Sequence, residues 1–160
     1  MVVDYGCGIG RVTQALAEDG STVLAVDRSP EMRNHARRYI SKRFFEEGAV
    51  ELLSDADFLS RLPSLRRSVD TLLFMEVLQH IPEPIIDDLL PQLANVLKST
   101  GRIFVFGNKQ LDVGADGGVF PTTPTVESVL RRHTTVLRSD VWEDGFSAVR
   151  FSYTCASRDS

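Results

Sequence analysis

The residue types best suited to chemistry lie in the first half of the chain. Asp4 precedes three glycines at alternate positions, Gly6, Gly8 and Gly10. Asp27 and Asp55 each stand just past a short apolar run, and His80 lies in Met75-Glu76-Val77-Leu78-Gln79-His80-Ile81-Pro82. An ionised carboxylate only accepts hydrogen bonds, so it suits partners that donate, such as hydroxyls and amines. A histidine either bonds a loop carbonyl or serves as general base for a nucleophile that carries a proton. A glycine turn lets the chain leave a buried strand sharply and bring its backbone close to a ligand. The helical pattern from Val12 to Ala17 then points unpaired N–H groups at the same place. Strand, turn and helix form the first half of a nucleotide-type binding unit.

Spacing decides which nucleotide. A dinucleotide site wants G-x-G-x-x-G, but Arg11 stands three after Gly8 and the third glycine comes early, at Gly10. That counts against an NAD-dependent oxidoreductase. A phosphate-binding G-x-x-x-x-G-K-[ST] is absent, since the chain has no Gly-Lys pair. Asp4-Tyr5-Gly6-Cys7-Gly8-Ile9-Gly10 resembles instead the first motif of the class I S-adenosylmethionine-dependent methyltransferases: an acidic residue, a spacer, then G-x-G-x-G. The plain alternative is a structural strand-to-helix turn. The resemblance implies S-adenosyl-L-methionine as cofactor, with Asp4, Gly6, Gly8 and Gly10 along its methionine part. It implies Asp27, with Arg28 beside it, at the ribose hydroxyls. The other reading of Asp27, a helix cap, fits Ser29 better, because Pro30 and Glu31 follow it. Asp55 matches the position that accepts from the adenine amine, with the Ala56 N–H at the ring and Asp57 as a competing register. Met75 and Glu76 fall at the strand's carboxyl end, over the reactive centre, and His80 is the candidate base.

The positioning elements follow from periodicity. A helix is predicted over Gly10 to Asp19, closed by Gly20, then a strand over Thr22 to Val26 whose continuous apolar run fits burial on both faces. A helix from Pro30 to about Phe45 carries Arg33, Arg37, Arg38, Lys42 and Arg43 on a solvated face. Strands are expected at Val50–Leu53 and Ser68–Phe74. A helix runs from Ile85 to Leu97, kinked or reset at Pro91. A turn at Lys98–Gly101 leads into a strand over Arg102–Phe106, and Asn108 to Thr123 reads as a loop. A helix from Thr125 to Arg132 precedes strands at Thr134–Trp142 and Phe146–Cys155, joined by a hairpin turn at Glu143-Asp144-Gly145. The expected fold is α/β: a Rossmann-like, doubly wound, mostly parallel seven-stranded sheet ending in an antiparallel hairpin, with 1–160 as one domain.

Hydrophobic residues at 42% and charged residues at 25% are ordinary for a globular domain. A net charge of −4 argues against bulk affinity for nucleic acid. Cys7 and Cys155 have no metal-ligand spacing to His35, His80 or His133, so no metal is expected. The two thiols suit a reducing cytosol, hence a cytoplasmic protein, and no apolar run is long enough to span a membrane. The resemblance implies methyl transfer by in-line displacement, where alignment alone lowers a barrier by roughly 7–11 kcal/mol. Neither [DN]-P-P-[YFW] nor Pro-Cys, marks of amide- or adenine-nitrogen and cytosine-ring acceptors, occurs. The expected acceptor is a small molecule, with a protein amine or RNA behind it. In the resembled family helices precede the glycine motif and cover the cofactor, whereas here Met1 abuts the first strand. The sequence is accordingly expected to be a fragment, and an inactive binding or interaction module is the rival reading.

Overall fold

Short apolar runs make the first strands: β1 (Val2–Tyr5), β2 (Val23–Val26) and β3 (Val50–Leu53). Longer strands follow, β4 (Val69–Met75), β5 (Leu97–Lys109), β6 (Thr134–Glu143) and β7 (Val149–Ser157). In the computed structural model, which describes residues 1–109, 123–143 and 149–157, these seven form one sheet in the order β3-β2-β1-β4-β5-β7-β6. Strands β1 to β5 pair in parallel, and β7 runs antiparallel to both β5 and β6. This is the mostly parallel, seven-stranded arrangement with an antiparallel end that the pattern predicts. Most of the expected loop after Asn108 (110–122), the Asp144-Gly145 turn (within 144–148) and the last three residues lie outside the described residues.

Helices line both faces of the sheet. On one face α1 (Arg11–Glu18), α2 (Pro30–Tyr39) and α3 (Lys42–Glu46) place Ala17, Ala36 and Phe44 against Val23, Ala25 and Val50. On the other, α4 (Asp55–Arg61), α5 (Glu83–Ala94) and α6 (Thr123–His133) bury Phe58, Leu90, Leu93, Val129 and Leu130 against Val3, Leu24, Leu72, Ile103 and Tyr153. Alternate residues of β2 therefore feed different cores, as a two-sided parallel strand requires.

Four expectations need correction. The helix from Pro30 stops at Tyr39, because Ile40 turns extended (ψ 133°) and drops its side chain beneath Gly10. The chain restarts as α3 at Lys42. Pro91 sits inside α5, which starts at Glu83 and runs on to Ala94. The Lys98–Gly101 turn is a bulge within β5: Val69 pairs with Leu97 but Thr71 with Arg102, so four residues loop out. Finally, α4 went unpredicted, although Ser54 marks its start. The Ser54 hydroxyl accepts from the Asp57 N–H at 3.1 Å and donates to the Asp57 carboxylate at 2.6 Å, a capping arrangement.

Gly10 shows how tightly the first turn is packed. Its φ of 84° is left-handed, and a Cβ there would lie 2.6 Å from Ile40 Cδ1. Gly10→Ala is expected to lower the unfolding free energy by about 2–5 kcal/mol, combining the left-handed penalty with overpacking. Gly48→Ala, where φ is 70° but no atom lies within 4 Å, should cost only the backbone share, about 1–2 kcal/mol. Urea titration of the two variants checks this; equal losses would refute the packing account.

Candidate functional site

The carboxyl ends of β1, β2 and β4 meet at the glycine turn. Gly6 leaves β1 at φ 79°, and Val77 stands where its Cβ would be, 2.4 Å from Cγ2. The Gly6 and Cys7 N–H groups both donate to the Val26 carbonyl, at 2.7 and 2.9 Å. Gly8 differs: no atom lies within 4 Å of its Cβ position, so its backbone faces open space. Asp4 is almost fully buried and accepts from the Thr13 hydroxyl at 2.6 Å. Burial raises its pKa above the ordinary value, the Thr13 hydrogen bonds oppose the rise, and the Asp27 charge adds to it.

Asp27 fastens the turn to the next helix. One carboxylate oxygen accepts from the Gly8 N–H at 2.8 Å and the other from the Ser29 N–H at 2.8 Å. Ser29 caps α2 by accepting from the Met32 N–H, as its position before Pro30 predicts. Arg33, read from the sequence as part of a solvated face, instead reaches back to the Asp27 and Arg28 carbonyls at 2.6 and 3.0 Å. Asp55 opens α4 and lies against the Tyr5 hydroxyl. Its pKa is raised by burial first and by Asp27 second, with Arg28 and Arg33 opposing. Tyr5 is pushed up in turn, chiefly by burial and then by the Asp55 charge.

These residues frame two adjoining clefts. The first, about 280 Å³, is lined by Asp27, Arg28, Asp55, His80 and Tyr5, with an apolar wall that includes Ile81 and Ile85. The second, about 350 Å³, is lined by Asp4, Gly8, Ile9, Arg11, Met75 and Phe106 among others. Gly6 and Glu76 border both. Of the residues singled out in the sequence, Asp4, Gly6, Gly8, Asp27, Arg28, Asp55, Met75 and His80 thus come together. Gly10 lines neither cleft and faces Ala36 and Ile40 instead. Ala56 is exposed in the first turn of α4, and the competing Asp57 is spent on the Ser54 cap. His80 is exposed on the rim, at the end of a 3₁₀ turn over Leu78–His80. A roomier groove of about 430 Å³, lined by Leu59, Leu62, Pro63, Arg66, Gln92 and Asn95, contains none of these strand-end groups.

Comparison with known proteins fixes the lineage. Residues 2–101 match the sequence model of a family described as methyltransferase domain. The chain belongs to the class I S-adenosylmethionine-dependent methyltransferase family. Among curated proteins it is similar to a ubiquinone biosynthesis O-methyltransferase of Xylella fastidiosa, 32% identical over 65% of this chain and 40% of the relative. It therefore spans about two-fifths of the length of that relative. Among solved structures it is similar to Burkholderia thailandensis 1,6-didemethyltoxoflavin-N1-methyltransferase with bound 1,6-didemethyltoxoflavin and S-adenosylhomocysteine (TM-score 0.72, 23% identity, 98% of this chain and 70% of that one). The [4+2]-cyclase SpnF has the same fold (TM-score 0.73, 17% identity, 98% and 74% covered).

The sequence placed Glu76 beside Met75 without a role of its own, and it left out Tyr5, Thr13, Gln79 and Arg150 as working parts. Thr13 had a signal, since it falls one helical turn past the glycines on the side facing β1. Arg150 had none, because its partner Glu76 is 74 residues away. The double duty of Asp27 yields a prediction. Asp27→Asn keeps the shape but sets an amide N–H against a backbone donor, so it should lower the unfolding free energy by about 1–3 kcal/mol. Thermal or urea unfolding checks this, and unchanged stability would mean that the two N–H bonds carry no weight.

Proposed function

We propose that this chain binds S-adenosyl-L-methionine across the two clefts and directs its methyl group to a hydroxyl of a small-molecule acceptor. One observation carries the reading. Two carboxylates at successive strand ends, Asp27 and Asp55, border one cleft that shares Gly6 with the glycine turn. The donor set fits the group. Each Asp27 oxygen spends one hydrogen bond on the backbone and keeps a lone pair for a ribose hydroxyl. Asp55 would accept from the adenine amine, with the Ala56 N–H toward the ring and Arg28 beside Asp27 in the same cleft. The open backbone at Gly8 would receive the methionine part in the cleft that Asp4 and Met75 also line, with Gly10 shaping the turn from behind.

When bound, the cofactor supplies a methyl group on a sulfonium, activated for in-line displacement. The protein's own work is to hold and align. A base is needed because a hydroxyl acceptor must lose its proton, and His80 at the cleft rim is one candidate for that role. The relative named as an O-methyltransferase supports the hydroxyl, and the Burkholderia thailandensis neighbour with bound 1,6-didemethyltoxoflavin supports a small molecule over a protein amine or RNA. The second reading, a binding or interaction module without methyl transfer, is supported by SpnF, a cyclase on this fold. We further propose that 1–160 acts as one domain in the cytoplasm, in keeping with two buried free thiols, Cys7 and Cys155. No helix among the described residues is long and apolar enough to cross a membrane.

The test is calorimetric titration with S-adenosylhomocysteine. Asp55→Asn should weaken binding about tenfold or more, the worth of a hydrogen bond to a charged acceptor. Affinity should also fall as pH drops through the raised Asp55 pKa, which lies above the ordinary 3.8, because the protonated acid gives up an acceptor oxygen. Asp55→Asn should lack that acid limb. Identical pH profiles for the two proteins would remove Asp55 from the adenine site. Cofactor binding without turnover on any hydroxyl acceptor would favour the second reading.

A further inference from the structure

We infer that Glu76 binds and orients the acceptor hydroxyl, and that Arg150 and Gln79 are positioning residues that aim it. The inference rests on the methyltransferase reading above. Three observations carry it.

The first is strain. Glu76 has φ 60°, a left-handed backbone on a residue with a full side chain, at the first position after β4. The surroundings enforce it, since the Glu76 N–H donates to the Phe106 carbonyl at 2.7 Å. Backbone strain of this kind persists only where the surroundings over-determine it, and it clusters at functional sites. Glycine would relieve it, yet a carboxylate stands there.

The second is place. Among the described residues, only Glu76 and Gly6 border both clefts. The adenosine end is assigned to the cleft of Asp27 and Asp55, so the seam is where the sulfonium carbon must pass. His80 borders only the Asp27 side, whereas Glu76 also faces Met75 and Phe106.

The third is restraint. Arg150 Nη1 on β7 donates to one Glu76 oxygen at 2.8 Å, and Gln79 Nε2 to the other at 2.6 Å. Gln79 is 2% exposed, so its amide is locked. A side chain held at both oxygens is pre-organised, and each oxygen retains a lone pair for a further donor. Glu76 accepts a hydrogen bond from the acceptor O–H and so points the oxygen's lone pair at the methyl carbon. As the oxygen–carbon bond forms, the sulfur–carbon pair returns to sulfur and the hydroxyl proton passes to the Glu76 carboxylate.

The experiment uses nitrocatechol, a hydroxyl-bearing probe whose absorbance reports binding, added to the protein saturated with S-adenosylhomocysteine. Glu76→Gln, Glu76→Gly, Arg150→Leu and Arg150→Lys are compared with wild type. S-adenosylhomocysteine affinity should stay within about threefold in every variant, while both Glu76 variants lose about tenfold or more in probe affinity. Arg150→Leu should weaken the probe and Arg150→Lys restore it. Glu76→Gly, freed of strain, should melt no lower than Glu76→Gln and still bind no probe, which separates a folding role from acceptor binding. Equal probe binding in Glu76→Gln and wild type would overturn the inference. So would a wild type that binds S-adenosylhomocysteine but no probe, or loss of S-adenosylhomocysteine binding in Glu76→Gln. A wild type that binds no S-adenosylhomocysteine would instead overturn the methyltransferase reading on which the inference stands.

Discussion

Asp27 lies where two elements without sequence continuity must be joined, the glycine turn after β1 and the amino terminus of α2. Its two oxygens accept from Gly8 and Ser29, and it is 8% exposed. A carboxylate so placed is tolerable only because both oxygens are satisfied. Remove it and two backbone N–H groups lose their partner, the turn loses its fixed distance from β2, and the α2 cap loosens. Arg33 closes the same joint from the other side by bonding the Asp27 carbonyl. The shape of the adenosine end therefore depends on one side chain that is also proposed to touch the ligand. Binding and folding cannot be separated at this residue by truncating it, which is why Asp55 is the cleaner place to look for cofactor recognition.

Much of this end was legible in the sequence, for a physical reason. Asp4, the alternating glycines, Asp27 and Asp55 are each set by local rules: a strand ends, a turn needs left-handed backbone, a helix needs a cap. Such rules act over a few residues and leave marks at fixed spacing. The mostly parallel sheet with an antiparallel end followed from the same local reading, since strand–helix alternation closed by a hairpin admits few topologies, while the strand order came only with the structure. Where the reading failed, a tertiary contact had overridden the local pattern. Helical spacing continued past Tyr39, but Ile40 finds a better place under Gly10 and breaks the helix. Arg33 matched a solvated stripe, but two carbonyls at the end of β2 claim it.

Glu76 and Arg150 show the limit most plainly. Nothing within ten residues of Arg150 marks it as part of a site. Its register beside Asn108 on β5 is what carries it to the carboxyl end of the parallel strands, next to Glu76. The β4–β5 register, which resumes at Thr71–Arg102 after the bulge and ends at Met75–Phe106, is what sets Asn108 just past the end of β4. Both are properties of the assembled sheet. The left-handed backbone at Glu76 is similarly invisible, because a glutamate in sequence carries no sign of φ. A glycine at the same position would have been read at once as a turn.

The two clefts also differ in how they are walled. On the α5–α6 side of the sheet Leu72, Phe74, Ile103, Val105, Phe151 and Tyr153 are all essentially buried. Their neighbours on the other face, Leu73, Met75 and Phe106, are only half-buried, and Phe104 is 40% exposed. Helices α1 to α3 cover β1, β2 and β3 on that face and stop short of β4 and β5. Parallel strands are ordinarily covered on both sides, so the contrast marks a boundary. Among the described residues, the cleft of Asp27 and Asp55 lies where helices line both faces of the sheet, and Met75 and Phe106 lie where one face is less covered. A rigid wall suits the proposed cofactor, which never changes, and a less covered one leaves room beside Met75 and Phe106 for the proposed acceptor. Glu76 stands on that boundary, anchored to β7 by Arg150, so the carboxylate proposed to meet the acceptor is held by the sheet itself and not by the less covered wall beside it.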